Sequence, residues 1–293
     1  MKRAVSSALE VLAEGLTITD ETARGRHGDI PLRRYVPSTT EPRGVPFVWA
    51  HGGGFAYGDL DMPESHGVAC ALAHSGREVV TVDYRRVPMW NIVLPPRVRP
   101  MKGIRYPIPV DDLVDAIEHV RRTRKTNVAL GGASAGASLA ASATLRLSHD
   151  GLDVPTSLVF AYGLFHAKLP EVNPELRERI RARKGGTQFS PSMFEKMTRN
   201  YAGSLSASND AFAFAGGKDL TAFPKTLFVN ADRDPLRASG EQFAVELHQA
   251  DVDVTSSYID GSTHGFLNEP LNPAFTTGLE RITDWLSATE HRR

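Results

Sequence analysis

Short apolar runs alternate with helical segments along most of the chain. The apolar runs predict buried strands at 45–50, 78–84, 127–131, 157–161, 226–230 and 254–259. Amphipathic or small-residue segments between them predict helices at 63–75, 110–122, 135–147, 241–250 and 277–286. Continuous apolar strands that alternate with helices are typical of a mostly parallel sheet covered on both faces. The pattern therefore predicts an α/β fold.

Three stretches interrupt this alternation. Residues 1–25 predict an amphipathic helix before the first strand, and residues 88–109 hold six prolines and cannot form a regular helix. Residues 165–218 carry helical patches without a strand pattern. Long excursions from a compact sheet are usually lids or pocket loops. We therefore expect one domain, 1–293, with a small helical cap from about 1–25 and 165–218 and a proline-rich pocket loop at 88–109.

Composition narrows the function classes. The chain has 34 Lys and Arg against 34 Asp and Glu, so it lacks the basic excess of a general nucleic-acid or anionic-membrane binder. Its one cysteine, Cys70, cannot form an internal disulfide, which fits a reducing compartment. Glu10 and Glu14 interrupt the basic start before a signal-peptide core forms. We expect a cytoplasmic protein with no nucleic-acid or membrane partner.

The strongest chemical motif is Gly-Ala-Ser-Ala-Gly at 132–136, which directly follows a predicted strand and opens a predicted helix. Small residues on both sides of Ser134 permit a tight strand-to-helix turn that lifts the hydroxyl above the sheet. The helix N-terminus then offers its amides and dipole to developing negative charge. This context predicts Ser134 as a nucleophile.

A second motif, His-Gly-Gly-Gly-Phe at 51–55, follows the strand that ends at Ala50. Three glycines leave backbone N–H groups unshielded, as an oxyanion hole requires. The spacing of the glycine-rich phosphate-binding motifs is not met. The segment therefore favours binding of a carbonyl oxygen.

A serine nucleophile needs a base, and the base needs an orienting acid. His264 follows the last predicted strand, and Asp232 and Asp234 follow the strand before it. The order serine, aspartate, histidine is that of α/β hydrolases. Both aspartates are near enough in sequence to serve the histidine. Pro235 favours Asp234, because proline fits a turn just past the strand.

Together these motifs resemble the bacterial branch of the hormone-sensitive lipase family of α/β-hydrolase esterases. The matching segments, in the family's order, are 51–55, 58–60, 83–85, 132–136, 234–237 and 264–266. The resemblance implies a nucleophile, base and acid at Ser134, His264 and Asp234. It also implies three oxyanion-hole amides, those of Gly53, Gly54 and Ala135.

The resemblance further implies hydrolysis of short- to medium-chain esters beneath a cap, without a cofactor. No metal is expected either, because His66 and His74 lie about 12 Å apart on a predicted helix, too far to share one ion. The expected partner is a small-molecule ester, with a second copy of the chain as a possible one.

Four departures from the family pattern bear on the substrate. Ala133 stands where many relatives have aspartate, the residues after 83–85 differ, and 162–165 reads Tyr-Gly-Leu-Phe. About a dozen extra residues, with Trp90 among them, precede Tyr106, and long loops of this kind are often functional. We expect the apolar side chains of this loop to line the pocket. The candidate pocket residues are Phe55, Trp90, Phe165 and Phe266.

The sequence therefore predicts a serine carboxylesterase. The same machinery could instead act on a lactone, an aryl formamide or an acylated natural product. A non-catalytic receptor on the same fold is the alternative of a different class, but such receptors usually lack a member of the triad, and function resides in the site.

Overall fold

The computed structural model describes residues 2–89, 102–182 and 189–290. Within these residues the sheet has eight strands, in the order β1-β2-β4-β3-β5-β6-β7-β8. The strands are β1 Leu16–Gly25, β2 Gly28–Pro37, β3 Phe47–Ala50, β4 Val79–Val82, β5 Ala129–Ala133, β6 Leu158–Ala161, β7 Thr226–Ala231 and β8 Val254–Ile259. Neighbours from β4 to β8 are parallel, and β2 pairs antiparallel with β1 and β4. The predicted mostly parallel sheet is confirmed.

Helices cover both faces of the sheet, as predicted. They are α1 Lys2–Ala13, α2 His66–Ala73, α3 Ile108–Arg124, α4 Ala135–His149, α5 Pro174–Arg181, α6 Pro191–Ala202, α7 Leu205–Ser208, α8 Arg237–Gln249 and α9 Pro273–Glu290. Because side chains alternate along a strand, β3 sends Val48 into the core shared with α3, α4 and α8, and Trp49 into the core shared with α2 and α9. In the described part of the chain, no helix has both the length and the apolarity to cross a membrane.

The helix predicted over 1–25 is wrong in its second half. Helix α1 ends at Ala13, and Gly15, with φ +75°, follows it in the conformation typical of a helix stop. Residues 16–25 then form β1, which pairs along its whole length with β2. Helix α1 lies against α2, where the Leu12 carbonyl accepts a hydrogen bond of 2.9 Å from His74 Nε2. The cap role of 1–25 stays a prediction.

The proline-rich stretch ends earlier than predicted. Helix α3 begins at Ile108, so residues 108–109 belong to it, and Pro109 lies in the first turn, where proline removes no intrahelical hydrogen bond. Residues 90–101 lie outside the described part of the chain. Trp90 is one of them, so the pocket role predicted for it stays a prediction.

Parallel pairing brings the loops that carry the predicted site residues together at the carboxyl ends of the strands. Strands β3, β5 and β7 run in the same direction, and β8 follows β7 in parallel. The motif-bearing loops leave the carboxyl ends of these strands. These ends are where open α/β sheets bind their ligands.

The segment 165–218 leaves the sheet and returns to it at one place. The Gly216 amide donates to the Phe165 carbonyl at 2.7 Å. His166 lies 2.9 Å from Ser239 Oγ and 3.1 Å from Glu246 Oε1, and the same carboxylate accepts from the Gly217 amide at 2.8 Å. Both ends of the segment are therefore fixed to helix α8.

The single cysteine gives a direct test of this packing. Cys70 is fully buried on α2, and burial raises the pKa of its thiol to about 12. At pH 8 the folded protein should therefore resist iodoacetamide, since the thiolate is the nucleophile. Protein unfolded in guanidinium should be alkylated completely, which mass spectrometry would measure. Equal labelling rates in the two states would contradict the burial of this face of α2.

Candidate active site

Ser134 occupies a strained turn between β5 and α4. Its φ of 51° and ψ of −115° are unusual for a residue with a Cβ, and such strain is concentrated at functional sites. Glycine is required nearby: a Cβ on Gly136 would lie 2.0 Å from the Ala50 carbonyl oxygen, and one on Gly132 would lie 2.4 Å from the Gly136 backbone. The two glycines of the motif therefore permit the close packing that presents the serine.

Ser134, His264 and Asp234 form one hydrogen-bonded series. Ser134 Oγ lies 2.9 Å from His264 Nε2, and His264 Nδ1 lies 2.6 Å from Asp234 Oδ2. Asp234 is fully buried, and its other oxygen accepts from the Leu236 amide at 3.0 Å. In this geometry an imidazole can take a proton from a hydroxyl while a carboxylate fixes its tautomer.

The second aspartate has different partners. Asp232 is 1% exposed and accepts hydrogen bonds from Arg179 of α5 at 2.7 Å and from the Gly261 amide at 2.9 Å. Arg237 Nη1 lies 3.5 Å from the same carboxylate. Asp232 therefore ties α5 to the loop that precedes His264. The sequence left both aspartates as possible partners of His264. In the structure, Asp234 contacts this histidine and Asp232 contacts arginines and a backbone amide.

The segment 51–55, called the glycine loop below, borders the serine. A Cβ on Gly52 would lie 3.1 Å from Ser134 Cβ. Gly53 and Gly54 have φ of +103° and +57°, and a Cβ on Gly53 would lie 1.9 Å from the Tyr57 carbonyl oxygen. Only glycine fits that turn. Ala135, the first residue of α4, completes the set of predicted amide donors.

The family follows from comparison with known proteins. A model of the alpha/beta hydrolase fold family matches residues 47–268. The chain belongs to the α/β-hydrolase fold family. Ethyl acetate hydrolase of Pseudomonas putida is similar to it, 27% identical over 85% of this chain and 76% of that protein. The hydrolase is thus a carboxylesterase, as predicted.

Solved structures agree with this assignment. An esterase from Pyrobaculum calidifontis matches 99% of this hydrolase and 92% of its own chain, with a TM-score of 0.79 and 25% identity. Brefeldin A esterase, described as a bacterial homologue of human hormone-sensitive lipase, matches 99% of this chain and 87% of its own. Its TM-score is 0.79 at 21% identity, which shows the shared fold. The resemblance to this esterase family is confirmed.

Two of the predicted pocket residues of the hydrolase, Phe165 and Phe266, pack in the cores on the two faces of the sheet. Phe165 stacks on Phe243 of α8 with ring centroids 4.4 Å apart. Phe266 packs edge-on against Tyr162 at 4.9 Å and beneath Gly278 of α9. Both rings are essentially unexposed in the structure, and the pocket role assigned to them stays a prediction. Phe165 belongs to the core on one face of the sheet, and Phe266 belongs to the core on the other face.

Phe55 and Phe189 connect segment 165–218 to the active-site loops. Phe55 is buried with a φ of +65° and stacks on Tyr201 of α6, with centroids 4.0 Å apart. The half-buried Phe189 ring meets the His264 imidazole edge-on at 4.7 Å. Sequence reasoning missed Phe189, because a lone aromatic beside a polar stretch carries no motif.

Glu64 is the second residue that sequence reasoning missed. It is 1% exposed, and its carboxylate accepts hydrogen bonds from the Gly52 amide and the Tyr162 hydroxyl, both at 2.6 Å, and from Asn268 Nδ2 at 3.0 Å. From sequence it resembled an acidic residue early in a helix. Helix α2 begins later, at His66, so Glu64 lies in the preceding turn.

The described residues include no cluster of three or more histidine, cysteine or acidic side chains that could hold a metal ion. His66, the first residue of α2, and His74, just after its last residue, have other partners. His66 Nδ1 lies 3.1 Å from the Tyr35 hydroxyl, and His74 bonds to α1 as described above.

Proposed function

We propose that the esterase hydrolyses small-molecule carboxylic esters of short to medium chain length through Ser134, His264 and Asp234. The observation that carries the proposal is the continuous hydrogen-bonded series of these three side chains beside the glycine loop. Three glycine-loop and helix amides, those of Gly53, Gly54 and Ala135, act as the oxyanion donors.

In the acylation step, Ser134 Oγ attacks the ester carbonyl carbon while His264 Nε2 takes the hydroxyl proton. Asp234 holds the imidazole tautomer and stabilises the imidazolium. The carbonyl oxygen becomes an oxyanion that accepts hydrogen bonds from the donor amides. The tetrahedral intermediate then collapses, the alkoxide leaves with the proton from His264, and an acyl-serine remains.

In the deacylation step, His264 takes a proton from water as the water oxygen attacks the acyl carbon. Collapse of the second intermediate breaks the bond to Ser134 Oγ, which regains the proton from the imidazole. The products are one alcohol and one carboxylic acid, and the chain supplies all proton transfers itself. No cofactor or metal takes part in this proposed sequence.

The substrate approaches beneath the segment 165–218, which we propose as the cap of a single-domain enzyme. Ser134 is only 5% exposed, and Phe189 covers one side of His264. A confined site of this kind favours small acyl groups. One relative is named ethyl acetate hydrolase, and ethyl acetate belongs to the same size class.

A substrate panel tests the proposal. We expect kcat/KM to be highest for p-nitrophenyl acetate or butyrate and to fall for longer acyl chains, because a closed pocket excludes them. A lactone, an aryl formamide and an anilide should react more slowly than the short esters. A lactone or formamide that exceeds every ester would replace the proposed substrate class. Absence of turnover with all of them would favour a receptor.

A further inference from the structure

The direction of the Gly53 N–H group is fixed from the opposite side of its peptide. This N–H shares a planar trans peptide with the Gly52 carbonyl, so the two groups point in opposite directions. The Gly52 oxygen accepts a hydrogen bond from the Tyr84 hydroxyl at 3.0 Å and another from His51 Nδ1 at 2.8 Å. Orientation of this carbonyl therefore orients the donor.

The preceding peptide is held on both of its polar groups. Its carbonyl, that of His51, lies 2.8 Å from the Tyr84 hydroxyl, whose one hydrogen is shared between the His51 and Gly52 carbonyls. Its N–H, that of Gly52, donates to Glu64 Oε2 at 2.6 Å. A Cβ on Gly52 would lie 2.4 Å from this carboxylate oxygen, so only glycine permits the contact. Glu64 and Tyr84 thus clamp the peptide that leads into the proposed donor.

The other carboxylate oxygen of Glu64 reaches the base. Glu64 Oε1 accepts from the Tyr162 hydroxyl and from Asn268 Nδ2. The Tyr162 ring meets the His264 imidazole edge-on at 5.1 Å, and Asn268 follows four residues after His264. One carboxylate therefore connects the glycine loop with the loop that carries the histidine.

The backbone of Glu64 is fixed as firmly as its side chain. Its carbonyl accepts from Trp49 Nε1 at 2.8 Å, and its N–H donates to Asn268 Oδ1 at 3.3 Å. Burial, followed by the charge of Glu64, raises the pKa of Tyr162 well above its usual value, so the tyrosine remains a donor. Hydrogen bonds to a buried carboxylate are shorter and stronger than neutral ones.

We infer that Glu64 is a positioning residue: it holds the Gly53 amide in register with Ser134 and His264, so that the oxyanion is bound as it forms. The inference rests on the proposed function of the three side chains. Glu64 touches no reacting atom, and its effect is transmitted through the Gly52 peptide and through Tyr162 and Asn268.

The substitution Glu64→Gln tests this role. An amide keeps one acceptor for Gly52 but turns a donor toward the donor Nδ2 of Asn268, which disturbs the clamp. We expect kcat for p-nitrophenyl acetate to fall about 10- to 100-fold, since misplacement by about 1 Å can cost that much. KM should stay nearly constant. Affinity for a trifluoromethyl ketone, which forms an anionic tetrahedral adduct, should fall in parallel.

Glu78→Gln is the matched control. Glu78 is also a buried glutamate with two cationic partners, Arg34 and Arg124. It lies just before β4, at the amino end of that strand, whereas the candidate active site lies at the carboxyl ends of the parallel strands. The substitution Glu78→Gln should lower the melting temperature without changing kcat or the affinity for the ketone. Equal effects of the two substitutions on kcat would show that Glu64 acts through stability alone and would overturn the inference.

A compensating change provides the second arm. Asn268→Asp alone sets two carboxylates together and should lower kcat strongly. In the double variant Glu64→Gln with Asn268→Asp, the new amide donates to the new carboxylate, so the pairing and the total charge are restored. We expect kcat to recover most of the loss. Additive losses in the double variant would contradict the proposed clamp.

A third variant serves if Glu64→Gln does not fold. Tyr162→Phe removes one donor to Glu64 and keeps the ring against His264, so kcat should fall with KM unchanged. An unaltered kcat would then overturn the inference. Failure of the proposed function has a different signature, since Ser134→Ala would then retain activity. Loss of activity in Ser134→Ala with normal kcat in Glu64→Gln would refute the positioning role alone.

Discussion

Replacement of Ser134 by alanine is expected to lower ester turnover by about 10⁴-fold or more while the protein stays folded. Alanine keeps the Cβ and the tight turn, whose neighbouring glycines supply the space. Only the Oγ atom is lost, and with it the acyl-serine. A fluorophosphonate should label the wild-type protein and leave the variant unlabelled, as measured by intact mass.

Ser239 offers a matched control for this result. Its hydroxyl also contacts a histidine, His166, which in turn reaches a carboxylate, Glu246. Ser239 is, however, fully buried and accepts a hydrogen bond from the Phe165 amide. Ser239→Ala should therefore cost stability, about 1–3 kcal/mol for a buried polar group left unpaired, but keep turnover and labelling. Labelling that persists in Ser134→Ala and vanishes in Ser239→Ala would reverse the assignment.

The second large effect is expected for Asp234→Asn. The amide would leave the geometry nearly intact but would favour the wrong tautomer of His264, and kcat should fall about 10⁴-fold. KM should change little, because this carboxylate is fully buried behind the His264 imidazole. Stopped-flow or steady-state rates below the melting temperature would measure the loss, and circular dichroism would confirm the fold.

The substitution Asp232→Asn distinguishes the proposed catalytic aspartate, Asp234, from the aspartate that stabilises the surrounding loops. The change weakens the contacts with Arg179 and Arg237 and should lower the melting temperature more than Asp234→Asn does, because a buried carboxylate loses its charge beside cations. Its effect on kcat should be much smaller, transmitted only through the Gly261 amide. A larger loss of kcat in Asp232→Asn would exchange the roles of the two aspartates.

Most of the sheet could be predicted from sequence, because strands β3 to β7 are buried on both faces and appear as continuous apolar runs. The run at 226–230, for example, became β7, fully buried along its length. Strand β1 was missed because it lies at an edge, where half of its residues face solvent and its polar threonines resemble the surface of a helix. Its partner β2 has the same mixed character.

The chemical residues divide in the same way. Ser134 and the glycine loop could be proposed from sequence because each needs a local backbone shape that constrains its neighbours. His264 could be proposed because it follows the last predicted strand and comes third in the order serine, aspartate, histidine. Glu64 imposes no such local pattern. Its partners lie 12, 98 and 204 residues away, so only the folded chain reveals them. The aromatic pocket assignments stay predictions for a related reason: a phenylalanine near a motif packs the core as readily as it lines a cavity.

The anchoring of segment 165–218 has a consequence for how this esterase could diversify. Because Phe165 and Gly216 are hydrogen-bonded neighbours, the two ends of the segment join the rest of the fold at adjacent points. The entropic cost of closing a loop rises only slowly with its length. The chain between these two points can therefore be lengthened, shortened or partly exchanged without moving a strand of the sheet. In the proposed cap, evolution or an engineer could exchange the parts away from Arg179, Phe189 and Tyr201, which contact the active-site loops. Such exchanges would change the accepted ester while the contacts to the proposed triad were kept.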